Sequence, residues 1–172
     1  MKIVKIILLV CLIAIIGYLL WGSFTGGFRA RIATQIDIDA STEAVWAVLI
    51  DLENYEKWNP FIQPVEGSFL PGETVTLLLK TNEADKGMTI SPKILDVKPP
   101  ELLRWKGSLF IPFVFDGTHE FILEALPEGK TRLHQSESFE GVLIPIARLN
   151  LLDDTKSQFE NRSEEHTSEL QS

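Results

Sequence analysis

The residues best placed to do chemistry lie in the last strand pair of the sequence, Thr118 to Leu126 and Thr131 to Val142, turned at Glu128-Gly129. His119, Phe121 and Leu123 share one face of the first strand, and Leu133, Gln135, Glu137 and Phe139 share one face of the second, because side chains alternate along a strand. Pairing the two apolar faces requires a register that brings His119 near Glu137. A slip of one residue would turn Leu133 and Phe139 to solvent. An imidazole beside a carboxylate, with the Gln135 amide close by, could work as acid and base or orient a ligand carbonyl. The same groups could instead satisfy one another as an internal hydrogen bond, as buried polar groups generally do.

The aromatic residues supply candidate walls for a binding site. Trp58, Asn59 and Phe61 follow the first helix of the globular part, where they could form a lid or cap the core. Trp105 shares a strand face with Leu103 and Gly107, whereas Arg104 and Lys106 point the other way, toward solvent. Ile111 to Phe115 is an uncharged apolar cluster; continuation of a buried strand is the default reading, and contact with a membrane or a pocket rim is the alternative. The sequence contains no Cys/His cluster with metal spacing, no nucleophile elbow, no Walker loop and no dinucleotide fingerprint, so neither metal nor cofactor is expected. The adjacent Asp153 and Asp154 read as solvated.

These residues must be positioned by strands and a few helices. Ile36 and Ile38 alternate with Asp37 and Asp39 as in a half-buried strand that stops at Ala40. Ser41 is a suitable N-cap, Glu43 suits the first turn of a helix, and Val45, Val48, Leu49 and Leu52 give that helix an apolar face ended by Pro60. Further strands are expected at Gln63 to Phe69, Glu73 to Thr81, Met88 to Val97 and Leu102 to Phe110, with breaks at Pro71-Gly72, Asn82 to Gly87 and Pro99-Pro100. Such successive hairpins predict an antiparallel meander. Pro145 suits the start of a last helix with Ile146, Leu149, Leu152 and Phe159 as its stripe, and the whole reads as α+β.

The text TEAVWAVLIDLENYEKWNPF (Thr42 to Phe61), with PPELLRWKGSL, DGTHEFILEAL and TRLHQSESFEGVLIP in that order, resembles the START-like superfamily, also called SRPBCC. That superfamily includes polyketide cyclase-like and lipid-transfer proteins, and the likeness runs roughly from Ala33 to Glu160. It implies a helix-grip fold, a curved antiparallel sheet wrapped on a long C-terminal helix with a ligand cavity between them. The implied partner is a hydrophobic small molecule or lipid, with Trp58, Phe61, Trp105, His119, Phe121, Gln135, Glu137 and Phe139 as candidate ligand contacts. A polyketide cyclase- or aromatase-like enzyme using His119 and Glu137, or a protein-interaction module of the co-chaperone kind, are the alternatives.

The two ends bear on location. The chain has 172 residues, 45% hydrophobic and 23% charged, which suits one domain plus an apolar extra segment. That segment, Ile6 to Trp21, is uncharged, follows Lys2 and Lys5, and reaches spanning length when counted from Ile3. It reads as an uncleaved membrane anchor, with Tyr18 and Trp21 as interfacial residues; a secretory signal is the competing reading, but no clear cleavage site follows. Lys2, Lys5 and the α-amino group bias the domain to the outer side. The only cysteine, Cys11, lies within this segment. Arg162 to Ser172 reads as the in-frame translation of a sequencing-adapter oligonucleotide, so His166 is set aside and the domain is taken as residues 29–161 after an anchor and linker over 1–28. The tail holds one arginine against three glutamates, so without it the formal net charge moves from −8 to −6. That scattered acidity argues against nucleic acid as a partner.

Overall fold

The computed structural model describes residues 2–59, 62–80, 87–109 and 111–147. Helix α1 (Lys2–Thr25) leads into β1 (Arg29–Ile38), which is followed by α2 (Thr42–Ile50). The Ser41 hydroxyl caps α2 by accepting from the Ala44 N–H at 3.3 Å. The helix is shorter than its apolar pattern suggests. At its end the Asp51 carboxylate accepts from the backbone N–H of Asn54 at 3.4 Å and its side-chain amide at 2.7 Å, so a local bond replaces the next helical one. Leu52–Lys57 then forms a 3₁₀ segment.

Eight strands follow from the alternating stretches, but they do not make a single meander. In chain order they are β1, β2 (Ile62–Glu66), β3 (Thr76–Leu79), β4 (Met88–Ile90), β5 (Lys93–Lys98), β6 (Leu102–Leu109), β7 (Phe115–Ala125) and β8 (Thr131–Glu140). One antiparallel sheet has the order β1-β8-β7-β6-β5 and a second has β2-β3-β4. The expected strand Met88 to Val97 is therefore two strands in two sheets. Pro92 lacks the N–H a continuous ladder needs, and its carbonyl instead accepts from Val75 N–H at 3.1 Å. The strands expected at Gln63 to Phe69 and Glu73 to Thr81 are likewise shorter than their apolar text.

Ile38, Leu103, Trp105, Phe121 and Leu133 form the buried face of the large sheet, with Val45, Trp46 and Leu49 of α2 in the same core. The opposite face is charged. Arg104, expected in solvent, is half-exposed and ion-paired with Asp96 on β5 and with Glu120 on β7, the latter at 3.5 Å. The expected apolar stripe of the last helix begins at α3 (Ile144–Ala147), where Ile144 is buried but Ile146 is exposed. Leu149, Leu152, Phe159, Asp153, Asp154 and the tail 162–172 lie outside the described residues, as does Phe61.

Two features sit at the end of the sheet where β6, β7 and β8 meet α1. The cluster Ile111 to Phe115 does not continue β6. Ile111 and Phe113 are 64% and 74% exposed, Phe113 has φ 69°, and β7 restarts only at Phe115. The turn is held by hydrogen bonds from Val142 N–H to Phe113 O and Leu143 N–H to Val114 O, and Gly141 (φ 142°) lets the chain pass a space where a Cβ would collide with Val114. Helix α1 is otherwise exposed, but its last turns touch the domain. Tyr18 Oη donates to Val142 O at 2.6 Å, and Gly22 lies so close to the Phe28 ring that a Cβ would fall inside it.

Asp116, 3% exposed, anchors the same turn through Lys106 Nζ at 3.1 Å and Phe113 N–H at 3.4 Å. Burial pushes its carboxyl up, but the Ser108 hydroxyl, Lys106 and the Phe113 N–H together outweigh burial and hold it below the ordinary value of 3.8. A depressed folded-state value stabilises the fold above the unfolded value, and that stability is lost as pH falls through the folded one. The thermal unfolding midpoint of the detergent-solubilised chain should therefore fall as pH drops below about 4. Asp116→Asn should flatten that acid limb; an unchanged limb would remove Asp116 from the account.

Candidate functional site

The site grows from the pairing of β7 with β8. In this register His119 opposes Glu137, Phe121 opposes Gln135 and Leu123 opposes Leu133, as the apolar faces require. His119 Nδ1 lies 2.6 Å from Glu137 Oε2, and His119 Nε2 lies 3.2 Å from Gln135 Nε2. A carboxylate can only accept and the amide nitrogen can only donate. The imidazole is thus set as the Nδ1–H tautomer, donating to Glu137 and accepting from Gln135. Its ring stacks on Trp105 at 4.7 Å and 8° between planes, and Trp105 stacks on Phe69 at 5.5 Å and 5°. Tyr55 and Trp58, 4.1 Å apart, extend this aromatic column from Phe69 toward α2.

A cavity of about 110 Å³ opens beside the dyad. Its floor includes Gly107 and Gly117, which are direct cross-strand partners on β6 and β7, so the sheet presents no side chain there. Trp105, Phe115, Phe139 and Ile90 form apolar walls, and Glu137 is the only ionisable group among its described lining residues. The Glu137 carboxylate lies over Gly117, where a Cβ would come within 2.8 Å of Oε1. Glu137 is 20% exposed at its side chain and His119 only 3%. The two are therefore not equivalent. Glu137 meets the cavity and His119 stands behind it, fixing the carboxylate.

Residues 29–171 match the family model described as polyketide cyclase / dehydrase and lipid transport. The chain belongs to that family. Among solved structures, protein Ms6760 from Mycobacterium smegmatis is 17% identical with TM-score 0.63, over 82% of this chain and 90% of that one. Ara h 8.0201 is 16% identical with TM-score 0.58, over 83% and 97%. The Aha1 dimer from Colwellia psychrerythraea is 16% identical with TM-score 0.60, over 82% and 96%. At these identities the likeness is one of fold, and the fold is the helix-grip α+β architecture of the START-like, or SRPBCC, superfamily. Comparison with curated proteins gives no match.

The family's candidate contacts divide into three groups in this chain. Trp105, Glu137 and Phe139 line the 110 Å³ cavity. Trp58 and Phe121 instead border a small space of about 20 Å³ beneath α2. His119 and Gln135, both buried, do not line the cavity: His119 bonds Glu137, and Gln135 bonds His119. Asn59 caps the core: its Oδ1 accepts from Ile62 N–H at 3.0 Å. Sequence reasoning missed Phe69 and the Gly107–Gly117 pair; Phe115, read as part of a strand or alternatively a pocket rim, lines the cavity. Strand pairing could have found the glycines, since the register that aligns Leu103 with Phe121 also aligns them. Among the described residues no group of His, Cys, Asp or Glu is arranged to hold a metal ion.

Adding one methyl group tests the cavity floor. Gly117→Ala should force Glu137 off its position, destabilising the fold by about 1–3 kcal/mol. The same variant should shift the His119 ring resonances in NMR. Unchanged stability together with unchanged imidazole signals would mean that Glu137 does not rest on Gly117.

Proposed function

We propose that this chain is a membrane-anchored binding module whose START-like cavity takes a hydrophobic small molecule or lipid. The observation that carries the reading is the hollow over the Gly107–Gly117 pair, walled by aromatic and aliphatic side chains around one oriented carboxylate. Pockets for small molecules are generally apolar with a few fixed polar groups. A volume of about 110 Å³ is near that of protein cavities that hold a benzene-sized guest. Glu137 would accept a hydrogen bond from a ligand hydroxyl or amide, and the stacked Trp105 would present a flat apolar wall. Support for the anchor comes from α1, a helix of 24 residues long and apolar enough to cross a membrane, none of whose most apolar stretch is buried. A tether at the bilayer raises the encounter rate with an apolar ligand without demanding tight affinity. Lys2 and Lys5 in the first turn of the helix favour a domain on the outer side.

Native mass spectrometry of the full chain released from detergent should show a co-purifying apolar mass. Gly107→Leu, whose Cβ meets only Pro92 at an ordinary 3.7 Å, should fill the hollow and abolish that mass while the fold survives. Protein that carries no adduct in the wild type, or carries it equally in the variant, would overturn the reading.

One observation favours a second reading, a cyclase-like enzyme: the cavity-facing carboxylate is held by an imidazole in a defined tautomer, the arrangement of an oriented general base. If so, Glu137→Gln, which preserves shape and an acceptor for His119, should cost roughly 10²–10⁴-fold in turnover of a polyketide-like substrate. Retention of turnover would remove the catalytic role.

A further inference from the structure

The turn at 111–113 is exposed, uncharged and built to stay where it is. Ile111 and Phe113 are 64% and 74% exposed, and Phe113 sits in the left-handed region that bulky residues rarely adopt. A surface loop free to relax would not keep a phenylalanine there. Here Asp116 Oδ2 receives its N–H and Val142 N–H donates to its carbonyl at 2.9 Å, fixing the ring outward. Of its charged neighbours, Asp116 is buried and turned to Lys106, while Arg29 and Glu140, which border a hollow with Phe113, pair with each other at 3.4 Å; the tip itself carries no charge.

The position of the turn is set by α1. Val142 accepts from Tyr18 Oη at 2.6 Å and donates its N–H to Phe113, so a single residue links the helix to the turn. Tyr18 lies one turn before Trp21 on α1, and aromatic residues of this kind settle at the headgroup level of a spanning helix. Leu109 and Phe115, paired at the base of the turn, also line the cavity.

We infer that Ile111, Pro112 and Phe113 form a second membrane contact, an apolar prong that enters the headgroup region of the bilayer beside α1. This rests on the reading of α1 as a membrane anchor. The prong joins the domain to the leaflet from which the helix emerges and sets one end of the cavity against lipid. Exposed aromatic and aliphatic groups at that depth replace water with acyl chains, a gain unavailable on a soluble domain.

The test is spin-label depth measurement on the full chain in phosphatidylcholine vesicles, in a Cys11→Ser background. Single labels are placed by Ile13→Cys in the helix, Ile111→Cys and Phe113→Cys in the prong, and Glu128→Cys in the β7–β8 turn. Immersion in lipid raises collision with oxygen and lowers collision with a polar nickel chelate. The expected result is a deeply immersed label at position 13, an aqueous one at 128, and oxygen-to-nickel ratios at 111 and 113 several-fold above that at 128. If 13 is immersed but 111 and 113 match 128, the prong is overturned and the anchor stands. Low accessibility to both reagents at 111 and 113 would mean that protein covers the prong, which also overturns it. An aqueous label at 13 would defeat the anchor, and this inference with it.

Discussion

Withdrawing most of the Glu137 side chain from water is costly unless its carboxylate oxygens find donors, and the donor nearest at hand is an imidazole on the neighbouring strand. That requirement holds β7 to β8 in one register. Slipping the pair by a residue would separate His119 from Glu137 and expose Leu133 and Phe139 at the same time, so polar and apolar demands select the same pairing. Much of the rest follows. With β7 and β8 locked, β1 and β6 take their places on either side, and Trp105 falls directly against the imidazole face. The Gln135 amide then completes the ring's second hydrogen bond, leaving the carboxylate as the polar group presented to the hollow.

The hollow is a consequence of what the sheet lacks. Interiors normally fill to the density of organic crystals. Two glycines opposite one another on β6 and β7 leave a patch of bare backbone, and the curved strands around it carry aromatic rings too stiff to fold into the gap. The column from Trp58 through Tyr55, Phe69 and Trp105 to His119 gives the walls rigidity without closing the space. On the far face Asp96, Arg104 and Glu120 tie β5, β6 and β7 together where no core can do so. Partly exposed pairs of this kind contribute little individually, so their value lies in alignment more than in stability.

How much of this was legible in the chain depended on the range of the signal. The His119–Glu137 contact could be read because both strands alternate cleanly and only one register buries both apolar faces. Ser41 could be read because an N-cap acts within a single turn. The end of α2 could not, since Asp51 competes for the backbone in a way its neighbours' hydrophobicity conceals. Pro92 splits a run that looks continuous, and the resulting second sheet depends on long-range pairing with β3. Ile111 to Phe115 reads as buried because it is apolar; the exposure of its first three residues is set by Asp116, Gly141 and Val142, which lie elsewhere in the sequence or carry no hydrophobic signal. The hollow stayed hidden because it is made by absent side chains.

The seat of Gly22 on Phe28 gives α1 a stiff handle on the domain. A linker of flexible residues would let the two turn independently, whereas here a ring fills the notch in the helix and Tyr18 adds a second fastening a turn away. Where such a helix crosses a bilayer, its tilt responds to the match between its apolar length and the local hydrocarbon thickness. The domain would lean with it. Membrane thickness would thereby act on the domain as a lever, altering its pitch over the surface with no change inside the fold.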